Sequence, residues 1–341
     1  MIGATMLGRA PGTRAYWMRI VAAILVLVVL VAIVNVAAHG AFLQPSNIVR
    51  VLRQITYNCV MGIGQTFVIV TSGIDLSIGS LVSLTGVVMA LVANSLHLGG
   101  AALIIVTLLA GLAVGAAAGY VNAIPVVKLN LPPFITTFAM LEVTLGLSRM
   151  ISNGRPVVVH SDAFASIGFG SFLGGLTNAL HLPNIPVLVV WMIAVIVIFS
   201  IVLTRTRFGR YVFAIGGNEE AARLAGVNVA RIKTLVYMIS GMCAATVGFL
   251  YLSVFGSGSP ETGTGDELLE AIAAVVVGGT SLSGGQGSIV GTFFGAFLIG
   301  LLYNAMNLLN IDPYLQKVVL GAVILLAVVL DVLRRRYFAR A

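Results

Sequence analysis

Only 9% of the 341 residues are charged, whereas water-soluble domains carry roughly 25%, so too few charges are present to cover a water-facing surface. No sizeable soluble domain is expected. Cysteine is nearly absent: Cys59 and Cys243 each sit in an apolar run with no CxxC partner and no histidine cluster nearby. That excludes a disulfide framework and argues against a metal site. A nucleotide-binding P-loop is also missing. It needs Gly-Lys-Ser/Thr, yet only Lys233 precedes a Ser or Thr, and Ile232 stands before it. No nucleophile and base pair stands out, so the chain is not expected to be an enzyme. If ATP and Mg drive it, another chain must bind them.

Apolar sequence is what the chain has in abundance: 59% hydrophobic residues and a mean hydropathy of +1.07. At about 20 apolar residues per pass, its charges and turn residues divide it into about ten transmembrane helices, giving an all-α integral membrane protein. The expected spans are Tyr16–Ala38, Gln54–Val70, Leu76–Asn94, Ala101–Asn122, Pro132–Ile151, Ile185–Leu203, Ile232–Val254, a short Glu267–Val277, Ile289–Leu309 and Tyr314–Leu333. Residues 1–341 are read as one transmembrane domain. Arg9, Arg14 and Arg19 before Ile20–Ala38 resemble a signal peptide, but the run is long enough to span and no small-residue cleavage site clearly follows. It is read as a retained first helix behind a cytoplasmic tail at 1–15.

The net charge of +8 is explained by helix ends rather than by nucleic acid. With both termini cytoplasmic, fourteen of the 19 basic residues fall inside, and Arg50, Arg53, Arg149, Arg155 and Lys317 fall outside. This is the bias of a multi-pass protein whose basic loops face the cytoplasm and anionic lipid. The densest basic segment is Thr204 to Lys233, with Arg205, Arg207, Arg210, Arg223, Arg231 and Lys233 between two uncharged runs. Asn218 is a good N-cap there, Glu219 and Glu220 fall in the first turn where the helix dipole favours acids, and Gly226 can close the helix after about two turns.

Glu220 to Gly226, EAARLAG, resembles the coupling motif of ABC importer permeases, Glu-Ala-Ala and a later Gly. On spacing alone an ordinary polar connector reads equally well, but the flanking TRFGRYVFAIGGNEEAARLAGVN is similar to the permeases for ribose and related monosaccharides. SGIDLS at Ser72–Ser77 and IAAVVVGGTSLSGG add to that similarity, which covers about residues 45–333. The resemblance implies a type II ABC importer-like fold in a bacterial inner membrane. It also implies docking of a cytoplasmic ATPase through Gly209, Asn218, Glu219, Glu220, Ala221, Ala222 and Gly226, a periplasmic sugar-binding protein, and a second permease subunit forming a homodimer. A permease for another solute, such as a nucleoside, an amino acid or a signalling furanone, and an ion-coupled secondary transporter are the alternatives.

Asp75 lies between uncharged spans, and an ionisable group at membrane depth is a functional candidate. It either caps a helix starting at Leu76, with Gly73 permitting the turn, or faces the pathway. Asn58, Gln65, Thr66 and Ser80 offer the neutral hydrogen-bonding groups that a polyol path wants. Glu142 either faces that path or pairs with Arg149, seven residues on. Outside, Glu261, Asp266, Glu267 and Glu270 form an acidic cluster just before and at the start of the short eighth span. They either meet the binding protein or keep an exposed loop soluble. The resemblance would place Glu-Leu-Asp where this chain reads Glu267-Leu268-Leu269-Glu270, a displaced second acid. Val68–Gly86 and Val275–Gly295 echo one another in small residues around a break between helices, as paired interrupted helices do in transporters.

Overall fold

In the computed structural model residues 31–172, 174 and 184–339 are described, with side chains to 329. The 1–15 tail and most of the first expected span lie outside them, while residues 31–37 are helical. The described helices are α1 (Pro45–Val70), α2 (Ile78–Ser95), α3 (Gly100–Lys128), α4 (Pro133–Ile151), the single turn α5 (Ala165–Gly168), α6 (Val187–Arg205), α7 (Arg207–Gly217), α8 (Glu219–Leu224), α9 (Val229–Phe255), α10 (Glu267–Val277), α11 (Ile289–Leu308) and α12 (Pro313–Ala339). Six of them, α2, α3, α4, α6, α9 and α11, are long and apolar enough to cross a membrane.

Several boundaries move for identifiable reasons. The piece expected to precede the second span is continuous with it in α1, because Val51, Ile55 and Cys59 repeat at helical spacing and are all buried. Pro45 opens that helix, where a missing N–H costs nothing. α3 runs six residues beyond Asn122 to Lys128, passing Pro125 in its last turns. α10 matches the short eighth span, yet 11 residues rise only about 16 Å, roughly half a bilayer core.

The chain forms two compact units, Val49–Gly300 and Met1–Ile48 with Leu301–Ala341. In the first, α9 packs along α3 and α2. The α3–α9 contact is a backbone approach: a Cβ on Gly115 would lie 2.2 Å from the Gly241 carbonyl oxygen, and one on Gly241 2.0 Å from that of Gly115. Lipid gives helices no hydrophobic reason to associate, so small residues that admit close packing and hydroxyl pairs hold such bundles together. Between α2 and α4 those pairs are Ser80–Thr144 at 2.7 Å and Ser83–Ser148 at 2.6 Å.

The long non-spanning segment is tied to the ends of α9 and α6. β1 (Val157–Val158) pairs antiparallel with β4 (Ser257–Gly258), and β2 (Ser171–Phe172) with β3 (Ile185–Pro186). Asn94 donates to the Val158 carbonyl and accepts from the His160 N–H, so two backbone groups of this irregular stretch are satisfied from α2. Beside it Phe164, Phe249 and Trp191 form an aromatic cluster.

In the second unit, Ala38, Phe42 and Ala305 are buried together. Asn47 and Asn304 exchange side-chain hydrogen bonds at 2.7 and 3.0 Å, and Asp312 accepts from the Tyr314 N–H at 2.8 Å at the start of α12.

Candidate functional site

Three groups of residues matter: an exposed two-helix segment, a buried polar centre and a charged aromatic cluster. The segment between α6 and α9 holds two helices where one was expected. Thr206 caps α7 by accepting from the Gly209 N–H at 3.2 Å, and a Cβ on Gly209 would meet the Leu203 carbonyl oxygen at 1.9 Å. Asn218 caps α8, its Oδ1 accepting from the Ala221 N–H at 2.9 Å, and Gly226 follows with φ +84°. α8 divides its residues by direction. Ala222 is buried, and Glu219 is held by Lys233 of α9 at 2.6 Å and by Arg223 at 3.4 Å. Glu220, Ala221 and Leu224 are exposed, Leu224 to 81%. A cavity of about 320 Å³ lies behind α8, lined among others by Asn130, Glu219, Arg223, Asn228 and Lys233.

Asp75 is fully buried. Its Oδ1 accepts from the Ser77 N–H at 3.0 Å, the Ser77 hydroxyl at 2.6 Å and Asn122 Nδ2 at 3.3 Å, and its Oδ2 from the Ser240 hydroxyl at 2.6 Å. Gln65 donates to the Asp75 carbonyl and accepts from its N–H. Four donors on two oxygens are what a buried carboxylate needs. The capping expectation changes in detail: α2 starts at Ile78, and Asp75 serves the N–H of Ser77 just ahead of it. The residue taking the left-handed turn is Ser72, φ 63°, not Gly73. Gly73 is instead required for space, since a Cβ there would lie 2.9 Å from the Tyr237 hydroxyl. Asp75 thus joins α3 and α9 to the break between α1 and α2. Asp75→Asn turns one of the two acceptor oxygens into an amide donor, set against either Ser240 or the Ser77 and Asn122 donors, and is expected to lower the melting temperature of the purified protein by several degrees; a shift within 1 °C would refute the assignment.

The other sequence candidates are placed as follows. Thr66 meets Thr292 at 2.6 Å, and Asn58 donates to Glu270. Gln65, Thr66 and Ser80 are buried; Thr66 and Ser80 bond to neighbouring helices, and Gln65 to the backbone of Asp75 in the break between α1 and α2. Glu142 is exposed on α4 among Phe138, Val143 and Leu147, and it does not take Arg149. Arg149 pairs instead with Glu261 at 3.1 Å, both side chains at least half exposed. Such a pair is worth about 0–1 kcal/mol, so Arg149→Ala should leave thermal stability almost unchanged. Asp266 and Glu267 start α10.

Comparison with known proteins places the chain in a family. Residues 47–328 match the family model described as branched-chain amino acid transport system / permease component. The chain belongs to this permease family. Ribose import permease protein RbsC of Escherichia coli K12 is 40% identical over 96% of this chain and 98% of its own. RbsC of Bacillus subtilis is 41% identical over 90% and 89%, and the fructose import permease protein FrcC of Rhizobium meliloti 34% over 90% and 84%. No solved structure matches the permease.

The permease is thus a multi-pass membrane transport component, and the exposed α8 and buried Asp75 lie within the matched residues. Sequence reasoning missed Asn122, Ser240, Lys233 and Leu224. Asn122 and Ser240 each interrupt an apolar run. A rule that asks which polar residues inside spans must find one another would have raised them beside Asp75.

Proposed function

We propose that the permease is the membrane-spanning subunit of an ATP-driven importer that carries a ribose-like monosaccharide across the bacterial inner membrane. The observation that carries this reading is α8, a capped two-turn helix held to its own chain by Ala222 and Glu219 while Glu220, Ala221 and Leu224 face outward. Its partner is a separate ATPase that binds ATP and Mg. The names of the relatives supply the sugar class, and a soluble sugar-binding protein delivers the sugar on the other face. About ten spans with both termini cytoplasmic put the Thr204–Lys233 basic segment inside, as the charge bias requires. A second copy of the chain, with lipid, covers the apolar side chains exposed on α4, Phe134, Phe138 and Val143 among them.

ATPase closure would push on α8, and the spans would alternate between outward-open and inward-open arrangements around a path near the Asp75 centre. Ion coupling through Asp75 is disfavoured, because Ser77, Asn122 and Ser240 occupy its oxygens with donors, where a cation would want lone pairs. The test is Glu220→Lys in reconstituted importer. Stimulated ATP hydrolysis should fall by about tenfold or more, the loss of roughly 1.4 kcal/mol of docking energy or more, with membrane insertion unchanged. Unaltered hydrolysis would remove α8 from the coupling role, and sugar movement by the purified permease alone would remove the ATPase.

A further inference from the structure

Far along the same bundle from α8 is a cluster that neither the coupling segment nor the Asp75 centre uses. Arg53, Tyr57 and Asn58 stand on α1, Tyr251 and Phe255 on the last turns of α9, and Glu267 and Glu270 on the first turn of α10. At 1.5 Å per residue, Tyr57 lies about 20 Å along α1 from Val70, and Tyr251 about 33 Å along α9 from Val229 beside α8. The cluster therefore sits toward the opposite face.

Its side chains form a ladder. Tyr57 stacks on Tyr251 with ring centroids 4.2 Å apart and 7° between planes, and Tyr251 on Phe255 at 5.7 Å and 12°. Phe255 is 64% exposed, so the ladder ends on an open ring face. Around it the polar groups are incompletely used. Asn58 donates to Glu270, but Arg53 Nε and Glu267 Oε2 are buried atoms without a hydrogen-bond partner. Among the described residues Arg53 is in no ion pair, although two carboxylates belong to the same cluster. A buried guanidinium nitrogen and a buried carboxylate oxygen left unsatisfied cost stability unless a ligand completes them. A flat aromatic face beside a carboxylate, an amide and a guanidinium suits a small ring with one apolar C–H face and a rim of hydroxyls that both donate and accept.

We propose that Arg53, Asn58, Phe255, Glu267 and Glu270, with Tyr251 stacked behind Phe255, form a monosaccharide-binding site in the permease itself, at its outward end, where the sugar is received before translocation. Glu267 and Glu270 accept from ring hydroxyls, Arg53 and Asn58 donate to them, and the open face of Phe255 carries the C–H face. This rests on the sugar-importer reading above and adds a specificity-determining site to it.

The experiment is uptake of radiolabelled D-ribose, L-arabinose and D-fructose by cells expressing the complete importer with wild-type or variant permease. Permease content of the membrane and basal ATP hydrolysis are measured in parallel. Arg53→Gln, Glu267→Gln and Phe255→Ala are expected to lower uptake of the preferred sugar by about tenfold or more, the equivalent of one lost charged hydrogen bond or stacking contact, at unchanged basal hydrolysis. Phe255→Tyr, which keeps the ring, should stay within about threefold of wild type, and Glu267→Gln should change the ranking of the three sugars, which a purely structural role would not do. Wild-type uptake with undiminished uptake by the three variants overturns the site and leaves the importer reading standing. So does a loss of uptake matched by an equal loss of basal hydrolysis. No uptake of any of the three sugars by the wild type overturns the importer reading and this site with it.

Discussion

Replacing Gly216 with alanine is expected to abolish sugar-stimulated ATP hydrolysis and uptake while the permease still enters the membrane. Gly216 closes α7 two residues ahead of Asn218, the cap of α8, and it lies against two other parts of the chain. An added Cβ would be 1.7 Å from the carbonyl oxygen of Val70 and 2.4 Å from the N–H nitrogen of Gly285. The same carbonyl accepts from the Gly285 N–H at 2.9 Å, and the Ser72 hydroxyl donates to the Ser283 carbonyl at 2.9 Å. Three backbones thus meet: the end of α1, the loop between α10 and α11, and the end of α7. The first two are the glycine-rich breaks whose sequences echo one another. In the coupling role proposed for α8, a push there would reach both through this backbone junction. Alanine must displace α7 by more than 1 Å, and a misplacement of that size at a mechanical contact costs about a hundredfold in rate. The check is stimulated hydrolysis and uptake in proteoliposomes of matched permease content. Activity within twofold of wild type would show that the junction does not carry the stroke.

The second large effect is on folding. Gly115→Leu should leave little folded permease, because α3 and α9 touch backbone to backbone where Gly115 and Gly241 face each other. Overpacking a well-filled core by a methylene or two costs about 1–3 kcal/mol, and a leucine set into a carbonyl oxygen exceeds that. Separating the helices would also pull Ser240 and Asn122 off Asp75, which compounds the loss. Gly146→Leu is the control, since nothing lies within 4 Å of a Cβ at that position of α4. Monodisperse yield and melting temperature in detergent measure both. Equal yields for the two variants would refute the packing argument.

The helical class, the apolar passes, the α8 segment with its Asn218 cap and the importance of Asp75 could all be read from residue order. These are local properties: a run of apolar residues of bilayer length, a cap and two acids at fixed offsets, a lone acid between uncharged runs. What residue order could not supply is which polar group each one finds. Asp75 takes Ser240 from 165 residues away, and Arg149 prefers Glu261 to the Glu142 that shares its helix. Gly216 also needs its hydrogen atom because of Val70 and Gly285, distant parts of the chain. In lipid, a polar side chain gains most from a partner on another helix, and helix packing chooses that partner. Hydropathy and capping therefore determine where this chain crosses and turns, while the close approach of glycine-bearing helices decides what its few polar groups do.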